Sequence, residues 1–238
     1  MLHKTQKEAL IFKVVEFVKD LTEQEIYEVL SGARDKLVEI RNQAREKKLV
    51  DLFASQITTL SERGCPKAIL SVLQGQMGPV IARAKQMTFK EGRIPFLPVI
   101  PALFLSIYTQ MEMVKNKTKS GRNLLDPTDL TNVVQTPKKP YFIFDVEDGT
   151  EMRGRSIADA EDLISKQRNR RCLTDVESIS LCIHTDVLNR HNVDCSGSLC
   201  GPDYAPGLFL DEDGSRLGRS SFYAYSDGWG SASCSRKK

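Results

Sequence analysis

Apolar residues recur every three or four positions through the first part of this chain, then give way after Pro140 to short apolar runs split by glycine-rich turns. The clearest helical start is at Thr22. Thr22 and Glu25 form a capping box, and Leu21 with Ile26 are placed as the hydrophobic staple that sets the chain's approach. From there Ile26, Leu30, Ala33, Leu37, Ile40 and Ala44 alternate spacings of four and three, a coiled-coil seam carried through nearly three heptads. So narrow a seam needs a partner helix. Leu10, Val14, Phe17 and Leu21 line one face of the preceding segment, which predicts an antiparallel helical hairpin turning near Asp20. Self-association across the same seam is the alternative.

Helical spacing continues from Asp51 to Ser61 through Leu52, Phe53, Ile57 and Leu60, and Gly64 followed by Pro66 stops it. Pro66 then opens PKAILSVLQGQ, and Gly78 with Pro79 separates it from VIARAKQM, giving two or three short helices over 66–88. FKEGRIPFLPVIP reads as extended, because the residue before each proline is pushed out of the helical region, and its prolines keep it off a sheet interior. A helix is expected to resume at Pro101 through TQMEMVKN, followed by a basic connector from Lys115 to Arg122 and a short helix opened by Asp126, Pro127 and Thr128.

TPKKP, residues 136–140, has the composition of a linker. Beyond it YFIFDV is a buried strand stopped by Asp148 and Gly149; Ser156 with Asp159 starts a helix to about Lys166; and Thr174 with Glu177 makes a second capping box for a helix ending near His184. One helical turn over 186–191 and short strands in VDCSGSLCG, GLFLDEDG, SFYAYSDG and WGSASC complete the pattern, with DEDG as a hairpin turn. The fold class is therefore α+β: an N-terminal helical bundle over 1–135, a linker over 136–140, and a smaller mixed domain with short strands over 141–238.

A chain of 238 residues can bury a core without staples. Its six cysteines are sparse and irregularly spaced, which points to reduced thiols and a cytoplasmic location. LIFKVVEFV is interrupted by Lys13 and Glu16 and lacks a cleavage site, so it reads as an amphipathic helix and not an export signal. The most membrane-like stretch, 94–108, is broken by Pro95, Pro98 and Pro101 and is expected in the core, so no membrane association is expected. Before Pro140, 22 Lys and Arg stand against 15 Asp and Glu; from there on, 12 stand against 16. The halves thus carry +7 and −4, but the lysines are largely matched by glutamates and no recognition motif accompanies them, so nucleic acid is not an expected partner. A monomer or a homodimer fits the seam.

Cys182, His184, His191, Cys195 and Cys200 are the right residue types for zinc, yet their spacings do not suit a closed tetrahedral site, and no metal is expected. A nucleophile in Ser198, Cys200, Ser231, Ser233 or Cys234, with His184 or His191 as base and Asp145, Glu147 or Asp186 orienting it, is conceivable from the residue types. None sits in a nucleophile-elbow pattern. The three carboxylates of DVEDG, 145–149, suit a metal or an acid/base pair, but a strand ending in a turn needs Asp and Gly anyway. Arg168, Arg170 and Arg171 in QRNRR suit either a phosphate clamp or a helix end, the latter being favoured.

The order PYFIFDVEDG, LTDVESISLCIH, GSLCG and a single tryptophan followed by GSASC resembles a bacterial cytoplasmic domain-of-unknown-function family. The residues that carry the likeness are Pro140, Tyr141, Asp145, Glu147, Gly149, Leu173, Thr174, Glu177, His184, Gly197, Ser198, Trp229, Gly230, Ser231, Ser233 and Cys234. Leu199 departs from the basic residue expected after the glycine-serine pair. The resemblance implies a shared domain and a shared pocket but supplies no activity or cofactor. The expected pocket gathers Asp145, Glu147, Glu177, His184, Ser198, Trp229, Ser231, Ser233 and Cys234 on one concave face of the C-terminal domain. The function expected of it is non-catalytic binding or regulation, with a small-molecule hydrolase or transferase using His184 and a C-terminal Ser or Cys as the alternative.

Overall fold

The computed structural model describes residues 21–236 together with Lys13, Val14 and Glu16. The capping box at Thr22 forms: its Oγ1 and backbone N–H both donate to Glu25 Oε2, at 2.6 and 2.8 Å. It opens α1, Glu23–Glu62, an unbroken helix of 40 residues that ends at Gly64, where φ is +88°. Leu49, Phe53, Gln56, Ile57 and Leu60 form its buried stripe. The chain's two compact units divide between Lys48 and Leu49, within this helix.

In the first unit the described residues do not cover the seam. Leu30 is 60% exposed, Leu37 54% and Ile40 51%, and the segment against which the seam was expected to bury lies mostly outside the described residues. Of that segment's apolar positions, Leu10 and Phe17 lie outside the described residues and Val14 is half exposed.

In the second unit α2, Lys67–Gln74, and α3, Met77–Gln86, follow, with Pro66 as the N-cap of α2 and the Gly78-Pro79 pair inside the first turn of α3. Strand β1 is Ile94–Val99. The helix expected from Pro101 starts only at α4, Ile107–Met113, capped by Ser106, and Leu103 and Phe104 before it are exposed, not core. The basic connector is a small hairpin of β2, Lys115–Asn116, and β3, Lys119–Ser120. Next come β4, Arg122–Asn123, a 3₁₀ turn over Pro127–Asp129 capped by Asp126, and β5, Thr131–Asn132.

Strand β6, Tyr141–Val146, pairs antiparallel with β1. Helix α5, Ile157–Lys166, is capped by Ser156; β7 is Arg170–Cys172; and α6, Asp175–His184, carries the full Thr174/Glu177 capping box. The remaining strands are β8, Asn192–Asp194; β9, Ser198–Leu199; β10, Tyr204–Asp211; β11, Gly214–Ser221; β12, Trp229–Ser231; and β13, Ser233–Ser235. β10 and β11 form the expected hairpin around DEDG and sit in a five-stranded sheet ordered β12-β8-β10-β11-β4. The SFYAYSDG strand does not form: β11 ends at Ser221 and 222–228 is turn and loop.

The division expected at 136–140 is not a domain boundary. Phe53 stacks on Phe142 with ring centroids 5.3 Å apart, Phe96 meets Phe142 and Phe144 edge-on, and buried Gln56 donates to the Phe96 carbonyl at 2.8 Å. One continuous apolar core thus holds side chains from Leu49 through Ala84, from β1 and β6, and on to Cys234. The helices of the N-terminal half bury their faces against strands from both halves, because among the described residues β1 ladders with β6 alone. The class is α+β, and among the described residues no helix is long and apolar enough to cross a membrane.

Candidate functional site

Successive residues of a strand face opposite ways, so β7 sends Arg170 and Arg171 into two different ionic clusters. Arg170 donates through Nη1 to Asp145 Oδ2 at 2.7 Å and through Nη2 to Ser233 Oγ at 2.9 Å. Arg93 adds a second guanidinium to the same Asp145 oxygen at 2.9 Å and reaches Glu151. Asp145 accepts Arg170 through its carbonyl as well, from a left-handed backbone at φ 52°, a conformation that aspartate tolerates better than most residues. This is a buried network with its charges already paired.

Glu147 faces inward beside it, its carboxylate accepting from the N–H groups of Gly149 and Glu151 while its backbone pairs with Ser233. Burial raises its pKa. Asp148 accepts from the Thr150 N–H, and Gly149, at φ 103°, lies so close to Gly230 that a Cβ would sit 2.7 Å from its carbonyl oxygen. DVEDG is thus a turn locked against β12.

Arg171 clamps the fully buried Glu177, Nη2 to Oε1 and Nη1 to Oε2 at 2.6 Å each. Tyr141 Oη donates to Oε1 at 2.7 Å and the Thr174 N–H to Oε2. Burial alone would lower the Arg171 pKa; the bonds and charge of Glu177 reverse this and raise it. Cys234, sealed nearby, is pushed up to about 12 by burial.

Asp145, Glu147, Glu177, Ser233 and Cys234 therefore gather around β6, β7 and β13, as interior and not as a pocket floor. The other expected site residues lie elsewhere. Ser198 Oγ accepts from the Asp175 N–H at the start of α6 and donates to Asn132. His184 ends the same helix, about 14 Å along its axis. Its half-buried ring lines a separate open cleft with Arg63, Lys115, Lys117 and Asp186. Ser231, opposite Asp194 on β8, is sealed with no partner for its hydroxyl, and Trp229 packs on Phe209 and over Gly207, where a Cβ would lie 2.6 Å from the indole. The single concave face is not assembled: its serines serve a helix start, an arginine and a strand interior.

The described surface does hold one small-molecule-sized cleft of consistent sign. Its volume is about 440 Å³, and it is lined by Arg83 of α3, the 135–137 segment, residues 141–144 of β6, Arg171, Ser235 and Arg236. Among the described residues no carboxylate lines it. The Arg83 guanidinium lies 4.5 Å over the Phe144 ring, and Arg236 is anchored through Nε to the Arg170 carbonyl at 2.7 Å. Neither has an ion-pair partner among the described residues. Such a wall offers guanidinium donors beside aromatic and aliphatic surface, the donor set that binds carboxylate or phosphate oxygens.

Arg170 and Arg171, expected at a helix end, are strand residues, and only Arg171 reaches the cleft. Arg83 and Arg236 carry no sequence signal as a site: pairing of β1 with β6 and of β13 with β7 brings them together across 153 positions. All six cysteines are buried and free, and no three His, Cys, Asp or Glu among the described residues are grouped to hold a metal. Comparison of the chain with family models, with curated proteins and with solved structures returned no match.

Proposed function

We propose that this protein is a non-catalytic binding or regulatory protein of the cytoplasm that takes a small anionic ligand in the Arg83/Arg171/Arg236 cleft. The observation that carries this reading is a cleft of about 440 Å³ whose described lining holds Arg83 and Arg236, guanidiniums without an ion-pair partner, beside an Arg171 neutralised by Glu177, and no carboxylate. A volume of that order suits a metabolite-sized ligand. Arg171 is held rigid by Glu177, so its contribution is pre-organised, whereas Arg83 and Arg236 keep donors for the incoming oxygens. Six free thiols suit a reducing compartment. The hydrolase or transferase alternative has less behind it. Burial raises the pKa of Cys200 and pushes Cys234 up to about 12, which disfavours a thiolate at either, and His184 bonds no serine or cysteine among the described residues.

Thermal unfolding with inorganic phosphate, citrate and a nucleoside monophosphate tests the reading. A ligand present at a hundred times its Kd adds about 2.7 kcal/mol of stability. At least one probe is expected to raise the melting temperature in the parent and not in the Arg83→Gln/Arg236→Gln double variant. No shift with any probe, or a shift that survives the double variant, rejects the cleft. Turnover of a probe that depends on His184 rejects the non-catalytic role instead.

A further inference from the structure

The first unit presents an apolar stripe that nothing among the described residues covers. Ile26, Leu30, Ala33, Leu37, Ile40 and Ala44 lie along one line of α1, with Leu30, Leu37 and Ile40 each more than half exposed. The alternating four-three spacing makes these the a and d positions of a heptad: Leu30, Leu37 and Ala44 at a; Ile26, Ala33 and Ile40 at d. Charge around the helix is then sorted. The flanking e positions hold Tyr27, Arg34, Arg41 and Lys48, and the g positions Val29, Lys36 and Gln43. No acidic residue occupies either flank. Glu28, Asp35 and Glu46 fall on the opposite face, and Glu39 reaches from it to pair with Lys36 at 2.8 Å, which leaves Arg34, Arg41 and Lys48 as the cations of the e flank.

That sorting decides between occupants. In a parallel pair of this chain, Lys36 at g would face Arg41 at e of the second copy, and in an antiparallel pair the e residues Arg34, Arg41 and Lys48 would face one another. Like charges at these positions disfavour the pairing. A membrane surface fits poorly as well: beyond Tyr27 and Val29 the e and g flanks carry no apolar residue, so the apolar face narrows, and the back of the helix carries Glu28, Asp35 and Glu46. A helix with its own a/d stripe and glutamates at e and g meets both the apolar line and the basic flanks.

We propose that the Ile26–Ala44 face of α1 is a docking site for an acidic amphipathic α-helix of a partner protein, paired as a heterotypic coiled coil. The test uses the full chain and two labelled three-heptad peptides with identical Leu and Ile at a and d, one with Glu and one with Lys at every e and g position. Fluorescence anisotropy up to about 100 µM protein is expected to show binding of the Glu peptide at least about tenfold tighter than the Lys peptide, weakening as salt is raised. Leu37→Asp should abolish that binding, and Arg34→Glu/Arg41→Glu should reverse the preference, both with an unchanged far-UV spectrum. Equal binding of the two peptides, or insensitivity to these substitutions, overturns the proposal. So does failure of both to bind, the result if the chain's own residues 10–21 occupy the face, and so does a parent dimer in light scattering that Leu37→Asp dissociates. Leu37-dependent binding to phosphatidylserine vesicles without peptide preference assigns the face to a membrane and equally overturns it.

Discussion

His184 shows how one side chain's surroundings become a property of the whole protein. Burial, reinforced by the Arg63 charge, lowers its pKa from 6.5 to about 3. Between those values the unfolded chain binds a proton that the folded chain refuses, so stability falls as pH drops from about 6.5 towards 3. Asp194 works against it. Burial raises its pKa from 3.8 to about 6, so across that range the folded state keeps a proton the unfolded state has lost, and stability rises on acidification. Urea unfolding of His184→Gln between pH 4 and 7 should therefore lose part of the acid destabilisation, and Asp194→Asn should steepen it. Identical pH profiles for all three proteins would contradict both assignments. Neither environment was legible in the sequence. By contrast, Glu177 could be read as a capping partner of Thr174, since that bond spans three residues, while its pairing with Arg171 and Tyr141 depends on tertiary burial.

At the scale of elements, legibility follows the same division. Helix starts at Thr22, Ser156 and Thr174, the stop at Gly64 and the DEDG hairpin were readable because each is a contact between near neighbours. The helix expected at Pro101 yields to turns up to the Ser106 cap, and the SFYAYSDG strand is absent, because neither segment buries a regular apolar face: Leu103, Phe104, Tyr223 and Tyr225 are exposed. For α1 the pattern was right and its stripe is exposed, while the partner inferred for it lies mostly outside the described residues. A charge placed on a covered seam would unfold the unit, whereas one placed on an exposed stripe should change stability by no more than about 0.5 kcal/mol. Leu37→Asp is therefore expected to keep the parent's urea midpoint. A loss of several kcal/mol would mean that the stripe is buried in solution.

For the whole molecule, the change of composition at Pro140 is real but does not mark a seam in the fold. Phe53 and Phe96 lie before it, Phe142 and Phe144 after it, and the four rings form one cluster. Fragments 1–135 and 141–238 should each lack cooperative unfolding, whereas 49–238 should melt as one transition. A cooperative melt of 141–238 alone would restore the two-domain reading. The late strand β13 carries a further consequence, for biosynthesis. It pairs with β7, its Ser233 meets both Glu147 and the buried Arg170, and its Cys234 is sealed in the core. Synthesis runs from the N-terminus at roughly 5–20 residues per second, so β6 waits on the order of ten seconds before its last neighbour exists. Within that interval Glu147, and Arg170 once it is made, lack the Ser233 contacts that complete their burial. Completion of the 49–238 core is therefore expected only after residue 235 is made, with β6 paired to β1 but lacking β13 until then.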